Sequence, residues 1–553
     1  YHPEIFEGDL ITNVMEGYLT PIHYWLSYGI TLATKSPIMT GHWVMLIQAV
    51  FALGFLFLAV RAAAGVAPAL ISVAWLIHTR HIMQRLTAGL PRGWAAGVLT
   101  AGLYFLFKKN HSGMLILLAV GCFLHPPATL VIAVAYGIQL SFGLINKSTR
   151  DQFRRPFIRL LLLSPLYVAS VFFVVHRPAE IGQMVTLEQA ASMPEFQNPG
   201  GRFPFVPLQS VSNDFHTFGF QAFTGRFFDP DKNWKDTFLD AMTNSNNFWE
   251  RNADWIIIAG LGLLISVSLL RKRSPFPGET WYFLISLVIV YFASRLLAFK
   301  LYVPNRHLQF PMAIFFIAAF SIAAWRAFYS SAALKRTKNY SNSSLKAAWG
   351  SAFALAGVAF CVVLFSGSGL RGAANFNYAS TKKGQIFHWL KDNTPEASLI
   401  AGHPTFIDGV MLFAMRKGFV TSEVSHPFYQ GYYKEMDRRL QISLKAHYAK
   451  DLRQLVEVLD PEGVDYFVFE RRRFMPDQIV RQRYYAPLDV LVKDLTSGPE
   501  RDYAYFQLPE TLDSQKFPFL VFKDKYAVVI DVKKLRRFLK DTSSKESQLR
   551  NIS

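Results

Sequence analysis

Two stretches decide the architecture: MLIQAVFALGFLFLAV (Met45–Val60) and AIFFIAAFSIAAW (Ala313–Trp325). Each is too long and too uniformly apolar for the core helix of a water-soluble domain. The rest of the chain agrees. Of 553 residues, 51% are hydrophobic and 18% charged, and 49 are Phe; a soluble chain of this size carries nearer a quarter charged residues. The expected fold class is a polytopic α-helical membrane protein with a C-terminal extracytoplasmic α/β domain.

About ten spans are expected, at 40–61, 66–81, 94–108, 112–124, 127–145, 156–176, 255–270, 278–298, 307–327 and 347–367. After 112–124 comes His125-Pro126-Pro127, where proline forces a turn at the membrane surface. Their direction follows from the basic residues of short loops. Lys108 and Lys109, then Lys147, Arg150, Arg154, Arg155 and Arg159, then Arg271, Lys272 and Arg273, then Arg326, Lys335, Arg336, Lys338 and Lys346 fall in alternate connections. These are expected to be cytoplasmic, within the plasma (inner) membrane. The opposite set comprises 1–39, 82–93, 177–254, 299–306 and everything after about 368. With the first residues outside, one further span is expected before Tyr1, making eleven in the full chain. Pro21 opens YLTPIHYWLSYGITLATK (Tyr18–Lys35), whose mixed aromatic and polar residues suit a helix lying in the interface.

The expected domains are a membrane domain at 1–370, a soluble extracytoplasmic α/β domain at 371–540 and a disordered tail at 541–553. In the soluble part, QIFHWLKDNTPEASLIAG reads as helix, turn, strand. IDGVMLFAMRKGFVTSE repeats that scheme with Gly418 as the helix stop, and VDYFVF is a strand. FPFLVFKDKYAVVIDV reads as a hairpin turning at Lys523-Asp524-Lys525. Helices alternating with strands imply a mainly parallel sheet. No glycine-rich phosphate loop follows a strand, which speaks against a nucleotide site.

The net charge of +19 belongs to the inner loops and lipid contacts rather than to nucleic acid, since no aromatic-basic module accompanies it. Cys122 and Cys361 both fall in apolar spans and supply neither a disulfide framework nor a metal site. No histidine pair at i,i+4 beside a glutamate supports a zinc-protease site.

Charge at a membrane boundary is costly unless hydrated or paired. The outer face carries four such clusters: Glu7 and Asp9 in EGD; His78, Arg80, His81, Arg85 and Arg92; Arg295, Lys300, Arg306, His307 and Gln309; and Asp214 with His216. Carboxylates opposite arginines suit a base beside a phosphate cradle, because guanidinium makes two parallel hydrogen bonds to phosphate. Blander readings stand beside each. Glu7 and Asp9 also fit solvated loop carboxylates. His78, Arg80 and His81 fit snorkelling side chains, and Arg306 and His307 fit span anchors. Arg295, inside an apolar run, calls for a buried partner, and His125 fits a hydrogen-bonded helix end.

The topology and the E-x-D of Glu7 and Asp9 resemble the GT-C class of membrane glycosyltransferases, which move sugars from polyprenyl-phosphate carriers. WLKDNTPEASLIAGHP resembles stretches of a bacterial branch of that class. The resemblance implies Asp9 as catalytic base and Glu7 as its partner. A divalent metal, if held, would sit on Glu7 or Asp9. LYVPNRH resembles the class's late outer loop and implies Arg306 as phosphate anchor, with Lys300 and His307 beside it; the charge pattern itself adds Arg295 to that cluster and offers His78, Arg80, His81 and Arg85 as a further outer-face site. The donor would be a lipid-linked sugar, and membrane lipids are expected partners. The tail lacks the WWD-type motif of the oligosaccharyltransferases, which argues against glycosylation of protein Asn and points to transfer of a single sugar or to a member that has lost catalysis. A rival reading is a non-catalytic membrane subunit whose C-terminal domain docks protein partners. A transporter is disfavoured by the sparse mid-span polar residues Gln48, Ser72 and Ser266.

Overall fold

The computed structural model describes residues 3–86, 89–175, 181–197, 200–203, 276–301, 303–328, 384–475, 484–497 and 502–550, with Val211, Asp214, Phe215 and Ser266 singly. The expected spans 255–270 and 347–367, together with His216, Cys361 and the basic residues at 271–273 and 335–346, lie outside them. The chain divides into two compact units. One comprises Tyr1–Tyr18, His176–Pro207 and Phe376–Ser553, and the other Leu19–Val175 and Leu208–Asn375.

The second unit is helical. The other eight expected spans coincide with the helices Pro37–Ala64, Val66–His78, Trp94–Lys108, His111–Leu124, Pro126–Ile145, Arg150–Val175, Gly278–Leu296 and Arg306–Phe328. Among the described residues, four helices are long and apolar enough to cross a membrane: Pro37–Ala64, Pro126–Ile145, Gly278–Leu296 and Arg306–Ala323. Starts are set by local chemistry. Ser36 accepts a hydrogen bond from the Met39 N–H, and Pro37 follows it at the first helical position. The Arg306–Ala323 stretch is 89% buried, against 33–44% for the other three, so it forms the centre of the unit. Around it the outward faces expose Leu46, Val50, Ile116, Phe142, Leu162, Ile289 and Leu296. So many exposed large apolar groups mark a surface that does not face water.

Contacts between these helices obey the alternation read from the basic loops. At the basic-loop end, Lys109 Nζ lies 3.7 Å from Glu279 Oε1, and Arg326 Nη2 donates to the Ala63 carbonyl at 3.3 Å. At the opposite end, Thr20 Oγ1 donates to the Leu124 carbonyl at 3.0 Å, and from within its span Gln48 Nε2 reaches the Leu90 carbonyl at 2.9 Å. The stretch Tyr18–Lys35 holds a helix at Pro21–Thr34, which exposes Tyr24 and Trp25.

The first unit holds a five-stranded sheet: β1 (Leu399–Gly402), β2 (Lys417–Gly418), β3 (Tyr466–Glu470), β4 (Leu520–Lys523) and β5 (Ala527–Asp531), in the order β2-β1-β3-β5-β4. The sheet is mixed rather than mainly parallel. β1 pairs parallel with β2 and β3, whereas β5 runs antiparallel to both β3 and β4. The reason is local: β4 and β5 form the expected hairpin, with Asp524 Oδ1 accepting from the Tyr526 and Ala527 N–H groups at 2.7 Å. A hairpin reverses direction, so when its second strand joins β3 the sheet cannot stay parallel. Helices Gly384–Asn393, Gln430–His447 and Leu452–Leu459 supply the amphipathic faces. Ile386, Leu390, Ile400, Phe406, Val468 and Val529 form one core cluster.

Three expectations about this unit need correction. Gly418 is not a helix stop but lies in β2; the chain reverses at Met415, a left-handed residue at φ 53°. A boundary at 371 separates pieces that pack together, because Tyr1–Tyr18 and His176–Pro207 belong to the unit of the C-terminal sheet. Backbone bonds tie the second segment in: Val185 N–H to the Phe428 carbonyl, Gln430 N–H to the Gln183 carbonyl and Tyr432 N–H to the Ile181 carbonyl, at 2.9–3.0 Å. The tail, expected to be disordered from 541, continues instead as the helix Val532–Arg550.

Candidate functional site

Glu7 and Asp9 belong to the first unit. Gly8 between them is left-handed at φ 71°, and the turn presents Glu7 to solvent while Asp9 is 7% exposed. Asp9 caps the Leu10–Glu16 helix, its Oδ2 accepting from Thr12 N–H at 2.9 Å and Thr12 Oγ1 at 2.7 Å. Lys417 Nζ donates to the Glu7 carbonyl at 3.0 Å. The carboxylate of Asp9 also acts electrostatically on the buried Tyr432 hydroxyl, whose proton is held mainly by burial. The pair is therefore fixed in place by a helix cap and a lysine. Among the described residues, no cluster of three or more His, Cys, Asp or Glu side chains is arranged to hold a metal.

The residues expected to hold the carrier phosphate, Arg295, Lys300, Arg306 and His307, belong to the helical unit, and they part company. Arg295 has the buried partner its position demands. Its Nη1 lies 3.6 Å from Asp214 Oδ2, with both side chains nearly buried, and Tyr291 Oη donates to the same oxygen at 2.8 Å. Burial lifts the Asp214 carboxyl above its ordinary range, and the Tyr291 hydroxyl and Arg295 guanidinium pull it back. Arg295 is thus one arm of a structural triad rather than an exposed phosphate ligand. His307 is 1% exposed, with Nε2 bonded to the Leu301 carbonyl at 2.7 Å, so it too is a packing residue. Lys300 is exposed and Arg306 half-buried at the start of its helix.

His125 joins this group from a distant part of the chain. Its Nδ1 accepts from the Ala128 N–H at 3.2 Å, capping the Pro126–Ile145 helix as a helix-end histidine does. Burial first, then the charge of Arg306 and the ring of His307, push its imidazole down to about 3. Nearby on the same end, Trp94 Nε1 donates to His23 Nδ1 at 3.1 Å, and burial lowers His23 to about 4, so both rings stay neutral. The HPP turn marks His125 as a helix end in the sequence, whereas its nearness to Arg306 comes from the packing of distant segments. His78, Arg80 and His81 fall at a break in the backbone, with Thr79 ending one helix and Arg80 opening the next to Leu86. Arg85, in that second helix, is half-buried.

A second buried group went unread. Glu195 is 5% exposed, with Oε1 accepting from Tyr433 Oη at 2.8 Å. Burial raises its carboxyl, and the nearby Asp437 carboxylate adds to the rise. It anchors the 181–203 segment to the Gln430–His447 helix.

No family model and no curated protein matches the chain. Among solved structures it is similar to the apo crystal structure of the Archaeoglobus fulgidus oligosaccharyltransferase, at TM-score 0.43 and 12% identity, covering 83% of this chain and 62% of that one. It is also similar to the archaeal oligosaccharyltransferase AglB from Archaeoglobus fulgidus in complex with an inhibitory peptide and a dolichol-phosphate, at TM-score 0.40, 12% identity and the same coverage. This chain thus spans about 62% of the length of those proteins. A likeness this distant assigns neither activity nor site.

Proposed function

We propose that the chain is a membrane glycosyltransferase of GT-C type that transfers a sugar from a polyprenyl-phosphate carrier to an acceptor on the extracytoplasmic side. One observation carries the reading. The end of the helical unit opposite the basic loops gathers Arg306, Lys300, the neutral His125 and the aromatic interfacial helix. A lipid-linked phosphate needs that combination: a guanidinium for the phosphate, neutral donors beside it and an aromatic belt at headgroup depth.

In this reading Asp9 takes the proton from the acceptor hydroxyl as its oxygen attacks the anomeric carbon. The bond from that carbon to the phosphate oxygen breaks, its electron pair leaves with the phosphate, and a cation must stabilise the charge, the part proposed for Arg306 within the helical unit. Glu7, exposed beside Asp9, orients the acceptor or holds a divalent cation with it. Arg295 and His307 hold the scaffold and do not touch the donor.

The Thr12 bonds to Asp9 favour a second reading, a non-catalytic subunit whose C-terminal unit docks partners, because a helix cap alone accounts for that carboxylate. Transfer assays separate the two. The full chain in proteoliposomes is supplied with a panel of polyprenyl-phosphate sugars, and release of polyprenyl phosphate is measured. Asp9→Asn retains the cap, since Asn caps as well as Asp, but removes the base. Turnover lost in the variant supports catalysis. Equal turnover removes Asp9 from the mechanism, and no release by the wild type with any donor supports the subunit.

A further inference from the structure

At the basic-loop end of the helical unit, the helix Pro37–Ala64 stops and the helix Val66–His78 begins across a single residue, Gly65. Its backbone sits at φ 101°, ψ −174°, a region open in practice to glycine alone. A Cβ there would meet no atom within 4 Å, so the demand for glycine is conformational rather than steric. The turn sets Arg61, in the last turn of the first helix, beside the start of the second, where no side chain caps the N-terminal N–H groups.

The central helix brings Trp325 and Arg326 to the same place, Arg326 being held by its bond to the Ala63 carbonyl. Arg61, the Ala62–Gly65 turn, Trp325 and Arg326 line a cleft of about 350 Å³. The acidic group within electrostatic reach of Arg326 is Glu279, which also faces Lys109. Among the described residues no carboxylate pairs with Arg61.

We propose that this cleft binds the phosphate of an anionic membrane lipid. Two guanidiniums, brought there by two different helices, converge on one volume, and each favours a phosphate oxygen. The rest of the lining is three alanines and an indole, which suits glycerol and the first acyl carbons rather than a hydrated free ion. Snorkelling arginines alone need neither a glycine-only turn nor partners from distant parts of the sequence. The site lies at the end of the unit opposite Arg306 and is independent of the transferase reading.

The test is native mass spectrometry of the full-length protein in detergent, with phosphatidylglycerol, dioleoylglycerol or inorganic phosphate added. Phosphatidylglycerol is retained by the wild type, at least about tenfold more weakly by Arg61→Gln/Arg326→Gln, as expected for the loss of charge-assisted hydrogen bonds. Dioleoylglycerol, with the same kind of tails and no phosphate, is not retained, and millimolar phosphate does not displace the lipid. Equal lipid retention by the variant, equal retention of dioleoylglycerol, or displacement by free phosphate overturns the proposal. Photo-crosslinking of headgroup-labelled phosphatidylglycerol to wild-type protein gives a readout that does not depend on the variant folding. Adducts on peptides holding residues 61–65 and 325–326 support the site, and adducts confined to other peptides contradict it.

Discussion

Replacing Arg295 with glutamine tests whether the Asp214–Tyr291–Arg295 triad is scaffold. At 3.6 Å and an effective dielectric of about 20, the pair attracts by roughly 4–5 kcal/mol. Removing one member of a buried pair strands the other and costs about 3–5 kcal/mol. Arg295→Gln therefore destabilises the helical unit by about that amount, while Arg295→Gln/Asp214→Asn, which leaves no stranded charge, recovers at least half.

The deficit also depends on pH. Asp214 binds its proton more tightly folded than unfolded, so the stability this contributes is present below its ordinary 3.8 and lost as pH rises through the raised folded value. Without Arg295 the folded value rises further, so the deficit is small near pH 4 and full at pH 8. Unfolding is followed in detergent with a thiol-reactive dye in a Cys361→Ser background, where Cys122, buried in its helix, reports opening. A double variant no more stable than Arg295→Gln, or a deficit independent of pH, would refute the triad as described.

Glu195→Gln removes a carboxyl whose raised folded value makes stability fall as pH climbs through it. Protease resistance of the first unit should then vary less between pH 5 and 8 than in the wild type, and an unchanged profile counts against it. Arg416 is 4% exposed, and its guanidinium donates to the Lys391, Thr394, Ala414 and Met415 carbonyls and to Thr394 Oγ1. Arg416→Met leaves buried acceptors empty and should lower stability by about 3–5 kcal/mol, read from the denaturation midpoint of the unit. Asp9→Ala forfeits the helix cap, about 1 kcal/mol, whereas Asp9→Asn stays within a few tenths. Equal stability of the two variants would mean that Asp9 does not cap.

What could be read in advance was what a local pattern encodes. Long apolar runs, one of them closed by HPP, placed the helices, and Arg295, a charge in such a run, announced a buried partner. The identity of that partner was not legible, because Asp214 lies far from Arg295 in the sequence. Pairing between distant segments escaped for the same reason. Nothing in the text of residues 181–185 says that they bond to 428–432, and nothing local tells β5 to join β3 antiparallel. The tail shows a different limit: DTSSKESQLR has too few apolar residues for a core face, but Lys, Glu, Gln and Leu are good helix formers. Composition excluded burial, not helix. Asp9 was legible as an acidic position but not as a cap, since the capping bond depends on Thr12 and on the left-handed turn at Gly8.

The chemistry proposed for Asp9 and Arg306 requires both to face the compartment opposite the basic loops. Single cysteines at Glu4, Lys300 and Lys109, all exposed, in a background free of Cys122 and Cys361, are treated in intact cells with a membrane-impermeant maleimide. The account predicts labelling at positions 4 and 300 without permeabilisation, and at 109 only after it. Labelling of positions 4 and 300 from opposite sides would contradict it.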